Sequence, residues 1–209
     1  MSIKLSKEDV LYIQRCLKFS GYDTGPLDGV YGPKTTKAMS EFQTDSSHIK
    51  NTIGIFDNTS EKNIISLHPK VQELARKFML KANYLDVSND ISIQIISGVR
   101  TYSAQTRLYS QGRDSSGKVI NANKIVTYAK AGESYHNFMI SYDIGVFKKG
   151  YYIDNDETYK LIYDNCMVEG LEWGGEWKKF KDFPHYQVKT LLPIKTLRKN
   201  FENGVKLIL

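Results

Sequence analysis

Apolar positions recur along this chain with two periods, and the change from one to the other marks out its elements. Val10, Ile13 and Leu17 form a helical stripe behind Ser6 and Asp9, a capping-box pair, and Gly21 stands where that helix would end. The run Asp23-Thr24-Gly25-Pro26-Leu27-Asp28-Gly29 is dense in turn formers, with Asp28 and Gly29 shaping the loop. Pro33 suits the first turn of a second helix with the stripe Thr35, Ala38, Met39 and Phe42. A unit of roughly 40 residues is marginal as an independent core, so this all-helical module over residues 1–45 is expected to lean on a neighbour.

Residues 46–66 are polar and read as a linker, apart from the apolar patch Ile53-Gly54-Ile55-Phe56. Beyond them, residues 67–209 mix both periods. Val71, Leu74, Ala75, Phe78 and Ala82 make a helical stripe behind Pro69. Ile91, Ile93 and Ile95 alternate with polar residues, as do Ile140, Tyr142, Ile144 and Val146, the pattern of half-buried strands. Helices are predicted from about Ser103 to Gly112, from Tyr159 through Ile162, Tyr163 and Cys166 to near Gly170, and after Pro193 with Ile194, Leu197 and Phe201. The order is not a regular strand–helix alternation, so an α+β fold with a small, mostly antiparallel sheet is expected.

Composition narrows the function classes. The net charge of +6 favours an anionic partner, but no basic run with interleaved aromatics supports nucleic acid. No apolar run reaches the roughly 20 residues needed to span a bilayer. The start, Met1 to Leu5 followed by Lys7, Glu8 and Asp9, lacks the apolar core of a signal peptide, so cytoplasmic synthesis is expected. Cys16 and Cys166 lie far apart on helical stripes and read as buried free thiols.

Four histidines occur. His48, in the polar stretch, and His68, before Pro69, read as surface or capping residues. His136 lies in Ser134-Tyr135-His136-Asn137, seven residues before Asp143, and His185 follows Asp182 by three in Asp182-Phe183-Pro184-His185-Tyr186-Gln187. Catalytic zinc takes three nitrogen or oxygen ligands and keeps a fourth position open, which His136, Asp143 and His185 would satisfy. Asp182 is then free to act as a base, and Arg100, after the isoleucine strand, could hold a developing oxyanion. Spacing alone suggests this site without establishing it, since an isolated histidine is more often structural and Asp143 could lie on a strand's polar face. Glu133 and Glu176 are rival bases without Asp182's spacing to a ligand, and Ser134 either bonds near the site or caps its turn. Trp173 and Trp177 read as a packed turn beside the site, with a substrate wall as the alternative.

Taken together, the motifs resemble two families. Ile13-Gln14, Leu17, Gly21, Asp28-Gly29, Tyr31-Gly32, Thr35, Ala38 and Phe42-Gln43 are similar to the two-helix peptidoglycan-binding domain. Residues from about 67 to 190 resemble the zinc peptidases that include D-Ala-D-Ala carboxypeptidases and phage L-alanyl-D-glutamate endopeptidases. The family's Ser-x-His-x-x-Gly-x-Ala-x-Asp motif falls on Ser134 to Asp143, and its third ligand on His185. Asp182 to Gln187 has the endopeptidase form, where the carboxypeptidases more often show Glu-x-x-His-Trp. Further matches are Ser97 to Thr101, Gln105, Leu108-Tyr109, Gln111 to Arg113 and Gly170 to Gly175.

The resemblance implies one zinc per chain on His136, Asp143 and His185, with Asp182 as base and Arg100 beside them. It implies a monomeric phage endolysin that cuts the L-Ala–D-Glu bond of peptidoglycan stems once the membrane is permeabilised. A D-Ala-D-Ala carboxypeptidase and a non-catalytic wall-binding protein are the alternatives. The sequence departs from the motif twice, at Met139 for the usual Gly and Ser141 for the usual Ala. Both fall at the expected start of a strand, where Met139 would tighten the backbone path or move the substrate wall.

Overall fold

The computed structural model describes residues 5–209, apart from the side chains of 86–89. Residues 1–4, part of the stretch read as lacking a signal peptide, lie outside the described residues. The chain runs α1 (Lys7–Phe19), α2 (Pro33–Ile53), α3 (Asn58–Ile64), α4 (Pro69–Asn89), β1 (Ser92–Ser97), α5 (Tyr102–Ser110), β2 (Ser141–Lys148), β3 (Tyr151–Ile153), α6 (Asp156–Cys166), β4 (Leu171–Trp173), β5 (His185–Val188) and α7 (Ile194–Glu202). The strands form one sheet in the order β1-β2-β5-β4, with β3 also paired to β2, and every pairing is antiparallel. The expected α+β class with a helical N-terminal module is what the chain adopts. Among the described residues no helix is long and apolar enough to cross a membrane.

Local chemistry explains the helices. Ser6 and Asp9 form the capping box, the Asp9 amide donating to Ser6 Oγ at 3.1 Å and the Ser6 amide to Asp9 Oδ2 at 3.0 Å. Buried Gln14 organises the loop before α2: its amide donates to Asp28 Oδ1 at 2.9 Å, and its Oε1 accepts from the Gly29 amide at 2.9 Å.

Most of the polar stretch 46–66 lies in α2 and α3, contrary to the linker expected there. Phe42, Ser46 and Ile49 continue the buried face of α2 at spacings of four and three. Ser46 Oγ accepts from the Gln72 amide of α4 at 2.9 Å, so a polar residue occupies a core position. Asp57 caps α3, accepting from the Thr59 and Ser60 amides. Behind that cap, fully buried Arg76 clamps Glu61 through Nη1 at 2.7 Å and Nη2 at 3.1 Å and donates to Gly54 O at 2.8 Å. This bidentate pair fixes the α2–α3 corner onto α4.

The core lies between the helices and one face of the sheet. Ile93 and Ile95 of β1 and Tyr142, Ile144 and Val146 of β2 pack with Val71, Leu74 and Phe78 of α4 and Tyr159 and Ile162 of α6. Tyr12 and Phe19 of α1 belong to the same cluster, where both rings meet Phe201 of α7. Cys16 and Cys166 form no disulfide with each other, Cys166 being buried and Cys16 partly so. Burial pushes the Cys16 thiol up to about 12.

His48 is exposed on α2, whereas His68 is buried at the N-cap of α4. His68 Nδ1 accepts from the Lys70 amide at 3.2 Å, so the cap needs the neutral ring. Burial, helped by the charge of Lys206, pushes His68 down to about 4 from 6.5. Between those values the unfolded chain takes up a proton that the folded chain refuses, so stability falls as pH drops from 6.5 towards 4. The expected loss is about 2–3 kcal/mol. In urea titrations at pH 7 and pH 4.5, His68→Asn, which keeps a capping oxygen, should show a smaller difference than wild type. An equal difference would remove His68 as the source.

Candidate metal centre

The site grows on the sheet face opposite the core. Alternation along β2 sends Tyr142 and Ile144 inward and Asp143 outward. The register then sets Asp143 directly opposite His185 on β5 and Ser97 on β1. Leading into β5, Pro184 presents its carbonyl to the Ile144 amide at 2.9 Å, and the Phe183 carbonyl accepts from Trp173 Nε1 at 2.7 Å. Asp182 is brought in by its amide, which donates to Gly174 O at 3.1 Å. A Cβ on Gly174 would meet the Asp182 carbonyl at 2.4 Å, so this approach requires glycine.

His136 arrives on a 3₁₀ turn over Tyr135–Phe138. That turn ends at Met139 with φ 64°, a left-handed conformation for which the motif's usual Gly is suited. Met139 therefore closes the turn rather than starting a strand. Its side chain is buried with Leu17, Ala38 and Phe42 of the N-terminal helices. Ser141 opens β2 as a buried residue. The Ser134 side chain makes no capping bond to the turn.

His136 Nε2 stands 3.1 Å, and His185 Nδ1 3.0 Å, from the same oxygen, Asp143 Oδ1. One ligand atom from each of the three residues lies within 4.8 Å of the others, the arrangement of a site that could hold a metal ion. The outer nitrogen of each ring has a fixed partner. His136 Nδ1 is 2.7 Å from Gly98 O, which can only accept, so this nitrogen carries the proton. His185 Nε2 is 3.0 Å from Gln187 Oε1, and the Gln187 amide donates to Glu172. Glu172 thereby aims the Gln187 oxygen at His185, which directs the proton to Nε2.

Two imidazole lone pairs and a carboxylate oxygen thus converge on one point. They repel one another unless positive charge stands among them, either a proton on a ring or a metal cation. Burial pushes the Asp143 carboxyl up, but attraction and hydrogen bonds from His136 and His185 outweigh it and hold it well below its ordinary value. Burial lowers His185, but bonding to Asp143 and Gln187 and the charge of Asp182 raise it overall. Burial raises the Asp182 carboxyl despite the pull of His185.

Arg100 flanks the cluster, with Nη2 3.5 Å from Asp143 Oδ2 and 3.2 Å from Ser97 Oγ, and Nη1 3.2 Å from Gln105 Oε1. Of the five residues singled out from the sequence, His136, Asp143 and His185 form the cluster, Arg100 touches it, and the charge of Asp182 acts on His185. Trp177 lies against the His185 ring at 5.2 Å, whereas Trp173 is buried and stacks on Tyr163. The rival acids are engaged elsewhere: Glu133 is exposed and accepts from the Lys130 amide, and Glu176 is exposed beside Tyr163. Sequence reasoning assigned no role to Glu172 or Gln187. Their signal was the period of two that puts Gln187 on the face of His185 and pairs it with Glu172.

Both parts of the chain are similar to known proteins. Residues 6–47 match a putative peptidoglycan-binding domain, and residues 127–188 match the M15-type family described as D-alanyl-D-alanine carboxypeptidase. The chain is 35% identical over 136 residues to CwlK of Bacillus subtilis (strain 168), a peptidoglycan L-alanyl-D-glutamate endopeptidase, covering 58% of this chain and 73% of that protein. The crystal structure of the Serratia marcescens L-Ala D-Glu endopeptidase ChiX aligns with 64% of this chain and 89% of its own at 20% identity, with a TM-score of 0.41. The chain belongs to the M15 peptidase family and joins its peptidase domain to an N-terminal peptidoglycan-binding domain.

Proposed function

We propose that this protein is a zinc-dependent endopeptidase that hydrolyses the L-Ala–D-Glu bond of peptidoglycan stem peptides. The observation that carries the reading is the convergence of His136 Nε2, Asp143 Oδ1 and His185 Nδ1, with both rings oriented so that lone pairs face inward. Two imidazoles and one carboxylate suit catalytic zinc, one ion per chain, with a fourth position open. A zinc ion held there would supply Lewis acidity, polarising the scissile carbonyl and making water more acidic.

The remaining chemistry falls to the chain. Asp182 takes a proton from the attacking water and passes it to the departing D-Glu amine, while hydroxyl adds to the L-Ala carbonyl carbon. Burial raises the basicity of Asp182 for this proton transfer. The Arg100 guanidinium, anchored by Ser97 and Gln105, stabilises the oxyanion. The N-terminal helices bind the wall, and the net charge of +6 suits its carboxylates. In this reading the protein acts as a monomeric phage endolysin, reaching the wall once the membrane is permeabilised. The Asp182–Gln187 motif and the relationship to CwlK favour endopeptidase action. The matched family description keeps D-alanyl-D-alanine carboxypeptidase as the second reading.

Purified peptidoglycan digested with wild type should yield new N-terminal D-Glu, and chelation should abolish this until zinc is restored. Asp182→Asn should cut about 10²–10⁴-fold more slowly while keeping its zinc. Released D-Ala without N-terminal D-Glu would replace the endopeptidase reading with the carboxypeptidase one. A chain that neither cuts nor holds zinc would be a wall-binding protein.

Removing the outer partner of His185 frees that ring to change tautomer. Gln187→Leu should therefore weaken zinc about 10–100-fold in chelator competition. Unchanged affinity would show that Gln187 does not orient the ligand.

A further inference from the structure

The N-terminal helices reach further than a wall anchor requires. Tyr12 of α1 is 8% exposed, and its hydroxyl lies 2.9 Å from the Asn137 carbonyl and 3.2 Å from the Arg100 carbonyl. The same Arg100 carbonyl accepts from Asn137 Nδ2 at 2.7 Å, and the Arg100 amide donates to the His136 carbonyl at 3.0 Å. The turn carrying His136 and the loop carrying Arg100 are thus laced together, and one knot of the lacing comes from a residue 125 positions away from Asn137. At the far end of the turn, Met139 inserts its side chain among Leu17, Ala38 and Phe42. Its left-handed backbone is costly for any residue with a Cβ, and that cost is accepted where the side chain fills the helical module.

We propose that the N-terminal module also positions the His136 turn and the Arg100 loop, with Tyr12 as the positioning residue. The inference rests on the reading of His136 as a metal ligand and Arg100 as the oxyanion partner. A module that served only as an anchor would affect hydrolysis of insoluble wall and leave untouched a soluble peptide that carries no glycan. A module built into the frame of the centre affects both.

The test uses the full chain, wild type and Tyr12→Phe, on a soluble stem-peptide fragment containing the L-Ala–D-Glu bond. Phe keeps the ring packed against Tyr102 and Phe201 and removes only the hydroxyl. Expected is a fall in kcat of about three- to tenfold, the scale of one lost hydrogen bond, with KM unchanged. Sedimentation with insoluble peptidoglycan should be unchanged as well. Cobalt substituted for zinc reports the ligand geometry directly, and its visible spectrum should shift in Tyr12→Phe. Met139→Gly, which relieves the backbone and withdraws the plug, should reproduce the kcat loss.

Wild-type kcat and an unshifted cobalt spectrum in both variants would overturn the proposal. So would a loss of wall binding with peptide hydrolysis intact. If wild type itself cuts no stem peptide, the endopeptidase reading fails, and the cobalt spectra alone decide whether the module shapes the centre.

Discussion

The pairing of β2 with β5 is the constraint from which the rest of the structure follows. On the core side it stacks Tyr142 on Tyr186, with ring centroids 5.7 Å apart. On the other side it sets Asp143 against His185. A slip of β2 by one residue would turn Asp143 into the core and Tyr142 out of it, so the apolar face enforces the register that the polar face uses. The irregularity between Ile95 and Ser97 then lets β1 leave the ladder beside Asp143, which is where the Arg100 loop begins.

The centre is assembled against its own electrostatics. The carbonyl of Gly98 and the Glu172–Gln187 pair hold the two rings in orientations that point lone pairs at a carboxylate. Positive charge among them, a proton on one ring or a cation, reconciles those lone pairs, and a cation bound there would return its binding energy as stability of the fold.

Much of this was legible in the chain. The isoleucines of β1, the Tyr142–Val146 alternation and the stripe of α4 announced elements that the structure contains, because burial on one face leaves a period. The spacing of His136, Asp143 and His185, read with the family motif, pointed to three residues that the fold brings together. What stayed hidden depended on partners distant in sequence. Ser46 reads as linker because its burial comes from Gln72 across an interhelical contact. The packing of Met139 stays hidden because Leu17, Ala38 and Phe42, which it meets, lie far upstream. Glu172 and Gln187 reveal their orienting role only once β4 lies beside β5.

The unbroken helix from Pro33 to Ile53, bonded to α4 through Ser46 and Gln72, leaves no flexible tether between the N-terminal helices and the rest of the fold. A flexible tether would let one anchored molecule sweep a volume of substrate around its point of attachment. On the proposed function the cutting point would stand at a fixed offset from the anchor, so each landing on the wall would offer only the stems within that offset. The lifetime of the grip on the polymer would then set how quickly cuts spread.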